Sequence, residues 1–464
     1  MKKGQTALIS LIFALLFVSC SYVSTNNVFF EETTQKVYSG NYTGAINSVI
    51  NAKEEVYQLK DRVMYYLDLG MLYHYDGQYK LSNQLLTQAE RAIEELYTKS
   101  VSKAALSLVL NDNAMDYGGE EYEDIYLNFF KALNYINLDN TSDAFVEIRR
   151  LNGKLDVLED KYAELGSRMN TSKDAKIEIK TGKNKFYNSA MARYLSILLH
   201  RNSHDWGNVR IDNKKFDSAW KTQADVYNFV KPDLSVSLDK KADSRLNLFC
   251  FSGKSPEKRS RTWWIRTWND HIFVGSSKEA LSGEKVSNYF DMIYWKDVTD
   301  NLFFKFEIPV MQNRASAIDR IQVMIDGVKH APVLLENIDN VASSTFELKK
   351  NLIYLKTIIR TVSKGLLTKQ GKDKIDEQVN NELFASLLNL GADLAVAATE
   401  QADLRISHYF PKLAHIAEIH LPAGEHTLEV QYLNKYGNVV YSDNRGTIQI
   451  TNDKLNLVES FCLQ

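Results

Sequence analysis

The stretch that decides the fold reads Tyr66-Leu67-Asp68-Leu69-Gly70-Met71-Leu72-Tyr73, then Asp76-Gly77-Gln78-Tyr79, then Ser82, Leu86 and Ala89. Apolar residues three and four apart on both sides of a glycine-containing break predict two helices joined by a tight turn. Gly70 falls where the helices of one pair touch, and Ser82 and Ala89 where successive pairs do. A helix pair with one apolar face must stack on a neighbour, so further copies are expected. Gly40-Asn41-Tyr42, Ala45, Val49 and Ala52 repeat Gly77-Gln78-Tyr79, Ser82, Leu86 and Ala89 at an offset of 37 residues. A third copy offers Ala132, Tyr135, Ala144 and Ile148. A fourth offers Asp205-Trp206, Val209 and Phe216, with Ile197 where the first helix should carry a small residue. The later spacings, 62 and 65 residues, imply inserted segments, one of them around Asn111 to Asp124. Its acidic residues, Asp112, Asp116, Glu120, Glu121, Glu123 and Asp124, lack the spacing of a calcium loop and read as a solvated insertion.

The aromatic, Leu-Gly, Tyr and small-residue spacings of residues 66–89 resemble a tetratricopeptide repeat (TPR). The resemblance implies an N-terminal α-solenoid of TPR-like helical pairs. Gly70, Tyr73, Gly77, Tyr79, Ser82, Ala89, Ala45, Ala52, Ala132 and Ala144 would be its packing residues. Such an array presents a curved inner groove to an extended segment or helix.

The character of the chain changes near residue 232. All six prolines lie at or after Pro232, and the proline-free half before it suits a helical array. Beyond it, alternation takes over. Phe304, Phe306, Ile308 and Val310 fall on one strand face, as do Ile321, Val323 and Ile325 before an Asp326-Gly327 turn. Ser344 followed by Glu347 has capping-box spacing, which predicts a helix start, with Leu348, Leu352, Leu355, Ile359 and Val362 on its apolar face. A second helix is expected over about Ile375 to Arg405, and strands return through Leu428, Val430, Tyr432, Val439, Ile448 and Leu455. The fold class is therefore multidomain, α then α+β. Its expected parts are a leader at 1–19, the TPR-like region at 20–232, a β-rich domain at 233–342, a helical segment at 343–408 and a C-terminal antiparallel β module at 409–464.

Met1-Lys2-Lys3, an apolar run from Ala7 to Val18 and then Ser19-Cys20 form a secretory leader too short to span a bilayer. Phe17-Val18-Ser19-Cys20 resembles the lipobox of bacterial lipoproteins, with Phe17 in place of the usual Leu. The resemblance makes Cys20 the lipidated first residue of the mature chain, carrying diacylglycerol and an acyl group such as palmitate. The expected location is the cell envelope, lipid-anchored at the outer membrane and facing the periplasm, since Ser21 is not the aspartate that signals inner-membrane retention in some bacteria. Asp205 to Asp212 together with Leu421 to Leu428 resemble an uncharacterised family of TPR-containing bacterial envelope lipoproteins, which implies an anchored interaction protein.

Without the leader the chain carries 54 basic and 58 acidic residues, which argues against a nucleic-acid partner. Cys250 and Cys462 sit in strand-like runs and read as buried thiols, with a disulfide between them as the alternative. Gly365 to Lys372 has the wrong count for a phosphate loop, and His415, His420 and His426 alternate to opposite strand faces, so neither a cofactor nor a metal is expected. No nucleophile with a recognisable base occurs, so the chain is expected not to be an enzyme. Lys254 to Trp268 interleaves cations with Trp263, Trp264 and Trp268. Arg261, Trp263, Trp264, Arg266 and Trp268 are the candidate contact residues for a glycan, an acidic peptide or lipid headgroups. Alternation alone reads Trp264 and Trp268 as core-facing. The leading functional expectation is an envelope scaffold binding a protein or peptide partner through its repeats, and the alternative is a cell-wall or glycan-binding factor using 254–268.

Overall fold

The computed structural model describes residues 29–102, 112–170, 182–240, 244–278, 286–295, 298, 300–301, 303–370, 401–452 and 454–464. Cys20 and most of the helix expected at Ile375 to Arg405 lie outside them, and the described residues 401–405 are not helical. Helices fill the first half and mostly antiparallel strands the second.

The helices come as four hairpins: α1 (29–38) with α2 (Tyr42–Asn51), α3 (Arg62–Tyr75) with α4 (Tyr79–Ser102), α5 (Glu121–Asn137) with α6 (Thr141–Asn170), and α7 (Ala190–Asn202) with α8 (Trp206–Thr222). All four turns are built alike. Gly40, Gly77, Asp139 and His204 take left-handed φ values of 73°, 74°, 56° and 58°. The next N–H reaches back five residues in each: Asn41 to Lys36, Gln78 to Tyr73, Asn140 to Tyr135 and Asp205 to His200, all at 2.8–2.9 Å. This is the Schellman closure, which satisfies the last carbonyls of the first helix. Asn41, Asn140 and Asp205 then cap the second helix by accepting the N–H three residues on.

The first helix of every hairpin faces a sheet of order β12-β1-β9-β8, built from β1 (Arg245–Lys254), β8 (Val333–Asn337), β9 (Pro411–His420) and β12 (Asn456–Cys462). Phe30 of α1 stacks on His408, Tyr75 of α3 donates to the Tyr409 carbonyl, Phe129 and Phe130 of α5 meet Phe249 and Phe251, and Tyr194 of α7 meets Phe249. The other side of β1, Leu246, Leu248 and Cys250, packs on Val323, Ile325, Leu428, Val430 and Tyr432. Those residues belong to a second sheet, β11-β10-β6-β7, formed by β6 (Arg320–Ile325), β7 (Val328–His330), β10 (Gly424–Leu433) and β11 (Val439–Ile450). A third sheet, β4-β3-β2-β5, comprises β2 (Glu257–Trp268), β3 (His271–Lys278), β4 (Val286–Tyr294) and β5 (Phe303–Gln312). It rests on the helix α9 (Ile338–Gln370) through Ile265, Val274, Phe306, Ile308, Ile358 and Val362.

Four expectations change. The stretches 233–342 and 409–464 are not separate in space, because β1 lies between β12 and β9 and β10 lies between β11 and β6. The β12 partner also runs parallel to β1, unlike an all-antiparallel C-terminal module. Helix α9 begins at Ile338, where Asn337 accepts the Asn340 N–H, so Ser344 sits inside it and caps nothing. The acidic insertion is not solvated: Glu120, Glu121, Glu123 and Asp124 are buried. Distant cations explain this, with Lys258 and Lys349 on Glu120, Lys161 on Glu121 and Lys154 on Asp124. Burial of Glu120, Glu121 and Asp124 as charges is tolerated because each is paired with a lysine.

Glu336 ties three layers together. Its carboxylate accepts from Tyr126 of α5, from Ser189 and Met191 at the start of α7, and from Tyr227, at 2.6–2.9 Å. Glu336→Ala leaves these donors unpaired in the interior and should cost on the order of 3 kcal/mol, read as a lower midpoint in urea. Glu123 has no cation of its own; burial, and after it the neighbouring Glu120, push its carboxyl up from 4.5 to about 7. The folded chain therefore holds a proton that the unfolded chain releases between these values, so this group's contribution to stability falls as pH rises from about 4.5 to 7. The melting temperature of Glu123→Gln should lack this component of the pH dependence between pH 5 and 7 that the parent chain shows.

Candidate functional site

The repeat-packing residues occupy helix contacts. A Cβ on Gly70 would lie 2.7 Å from Leu86, so α3 and α4 approach closely there. Ala45, Ala89, Ala132 and Ala144 are fully buried, Ala52 half-buried at the end of α2, and Tyr73 and Tyr79 half-buried. Ser82 Oγ accepts from Asn134 Nδ2 of the next hairpin at 2.8 Å, and Gly77 supplies the left-handed turn residue. The inner surface that these helices were expected to offer a partner is occupied: the chain's own first sheet fills it. The outer side of the helical layer remains open.

There, one face of α4 lines a groove of about 510 Å³ with Lys80, Asn83, Gln84, Thr87, Gln88 and Arg91, opposite Tyr135 and Leu138. The lining includes no carboxylate. Lys80 and Arg91 form no ion pair among the described residues, unlike Lys131, Lys154 and Lys161 of the next hairpin. Asn83 is only 7% exposed, yet its Nδ2 has no hydrogen-bond partner. A buried polar chain fixes its orientation. Glu459 lies 3.1 Å from His74 Nε2, His74 Nδ1 donates to Asn134 Oδ1 at 2.6 Å, and Asn134 Nδ2 donates to Asn83 Oδ1 at 2.8 Å. With its oxygen taken, Asn83 presents a donor at the groove floor, and leaving such a group unmet costs energy. Sequence spacing carries no sign of this, because Glu459 and Asn134 are brought to α4 by the fold.

The tryptophan-rich strand divides differently from its expected alternation. Arg261, Trp263 and Ile265 point toward α9, where Trp263 meets Tyr354 edge-on, with ring centroids 5.6 Å apart. Trp264, Arg266 and Trp268 share the opposite, outward face, so Trp264 and Trp268 are not core residues. Ile265 and Thr267, fully buried, set the parity. Trp264 lies over Gly275 of β3 and stacks beside Phe303 of β5, ring centroids 6.4 Å apart. A Cβ at Gly275 would fall inside the indole.

Cys250 and Cys462 are buried free thiols on neighbouring strands, where Cys250 pairs with Ser460 and Cys462 with Ser252. His415 is half-buried on β9 and His420 is exposed, whereas His426 is held by Asp326 at 2.6 Å, which raises its pKa. Among the described residues no three His, Cys, Asp or Glu side chains are grouped to hold a metal ion, and no helix is long and apolar enough to cross a membrane.

Gly275→Ala should displace the Trp264 ring without unfolding the chain, read as a red-shifted tryptophan emission with little change in melting temperature. The same substitution in a Trp264→Phe background should leave the emission nearly where it was. Comparison with family profiles, with curated proteins and with solved structures finds no match for this chain.

Proposed function

We propose that this protein is a non-catalytic scaffold of the bacterial cell envelope, anchored by lipid on Cys20 and docking a segment of a partner protein on the outer face of a TPR-like array. Four hairpins with one turn geometry and small residues at their contacts support the repeat reading. The leader and the lipobox-like Phe17-Val18-Ser19-Cys20 support the anchor and an outer-membrane, periplasm-facing location. No cofactor is needed for such a role.

The observation that carries the docking reading is the buried, unpartnered Asn83 amide in a groove with donors along its length and no carboxylate. The complementary partner is an extended segment that offers backbone carbonyls to Asn83, Gln84 and Gln88 and carboxylates to Lys80 and Arg91.

Fluorescent glutamate-rich dodecapeptides should bind the purified chain more tightly than lysine-rich ones, and Lys80→Glu with Arg91→Glu should weaken that binding by about tenfold or more. Equal affinity for both peptide classes would remove the docking reading. Separately, the parent chain should incorporate labelled palmitate in cells and Cys20→Ser should not; label on the variant would overturn the anchor.

A further inference from the structure

The outward face of the third sheet is an aromatic surface with a cation at its centre. In the strand registers, Arg266 lies between Phe303 of β5 and Phe273 of β3, and Phe273 in turn pairs with Met292 of β4. One row toward the strand end, Trp268 pairs with His271 and His271 with Tyr294. One row the other way, Trp264 lies between Lys305 and Gly275. Trp268 is 59% exposed, Met292 61%, Tyr294 58% and Phe303 67%. Large apolar side chains that are this open are ordinary when scattered, but here they are adjacent, and a contiguous patch marks a surface that something covers.

We infer that this face lies on a lipid bilayer, with its aromatic side chains in the headgroup boundary and Arg266 and Lys305 against lipid phosphates. Three observations select that occupant. The face is an open sheet: its hollow of about 470 Å³ among Trp264, Arg266, Asn301 and Phe303 is wide-mouthed and not enclosed, so a planar surface can lie across it with a headgroup seated in the hollow. Its chemistry is that of an interface: Trp and Tyr join an apolar body to a polar tip, and the long Arg and Lys stems reach past the rings toward anionic groups. Among the described residues of these four strands, the one carboxylate on the same face is Glu307, which pairs with Thr262 a row beyond Trp264 and leaves the centre cationic. Finally, Cys20 stands nine residues before the first described helix, a tether of at most about 30 Å when extended.

The nearness of the bilayer rests on the reading of Cys20 as the lipidated residue, whereas the affinity of the face for lipid does not. A lipid anchor and a second contact together hold a protein far more firmly than a short acyl anchor alone. Two points of attachment also fix orientation: the third sheet is pressed to the membrane, and the body is no longer free to swing about its tether.

The test uses the chain from Ser21 to Gln464, which keeps every described element and carries no lipid, so its outcome is independent of Cys20. It is mixed with vesicles of phosphatidylethanolamine and phosphatidylglycerol and floated on a density gradient. The parent chain should float. Trp268→Ser with Phe303→Ser should reduce the bound fraction by about tenfold, and Arg266→Gln should abolish the preference for these vesicles over phosphatidylcholine. Both sites are exposed, so melting temperatures should stay within a few degrees of the parent. Failure to float, or equal flotation of parent and variants, would overturn the inference. Trp268-dependent pelleting with peptidoglycan sacculi in place of vesicle binding would overturn it in favour of a glycan surface.

Discussion

Burial of β1 on both faces is the constraint from which the rest of the structure follows. Leu246-Asn247-Leu248-Phe249-Cys250-Phe251 carries no solvent-facing position, so each side of the strand requires a cover. The aromatic side draws in the first helix of the later hairpins, and the aliphatic side draws in the second sheet. Phe249 and Phe251 stack at 5.9 Å and extend to Phe461, forming a ladder of rings onto which α5 and α7 settle. Because one strand serves two cores, the helical and β halves cannot be dissected as independent bodies, whatever the change in composition near Pro232 suggests.

Polar groups fix the relative placement of these layers, which apolar packing alone would leave loose. Asp68 accepts from Tyr57 and from the Ser407 hydroxyl and the His408 N–H, tying α3 to the segment before β9. Arg405 reaches Asp61 and the carbonyls of Asp112 and Met115. Glu418 on β9 gathers Arg201 of α7 and Arg245 of β1. Each is a long-range contact whose loss would leave a charge buried, so the pairs specify which surfaces meet more than they add net stability.

Local signals were legible in the sequence and long-range ones were not. The first two hairpins could be read because Gly40 and Gly77 announce their turns. Asp139 and His204 adopt the same left-handed conformation without announcing it, so the third and fourth turns carry no glycine mark. The run Leu246 to Phe251 could be read as a buried strand, but its neighbours could not, since they come from residues 411–420 and 456–462. The acids from Glu120 to Asp124 were misread for the same reason: their cations include Lys258 and Lys349, far along the chain. Parity misled at Trp264 and Trp268, where a run of large residues on both faces of β2 gave alternation nothing to favour. The groove on α4 left no trace in the sequence at all, because an exposed polar stripe and a docking floor share one composition until Asn134 is placed beside Asn83.

The parallel pairing of β1 with β12 sets an order of events. Asn247 donates to the carbonyl of Asn456, 209 positions later, and Leu246 through Ser252 cannot complete their ladder until that stretch arrives. The hairpins close over short distances and form early, but the ring ladder they rest on lacks Phe461 until nearly the whole chain is present. A chain cut short before Phe461 would therefore keep its hairpin turns yet leave the ring ladder, and the helix faces that rest on it, open at one end.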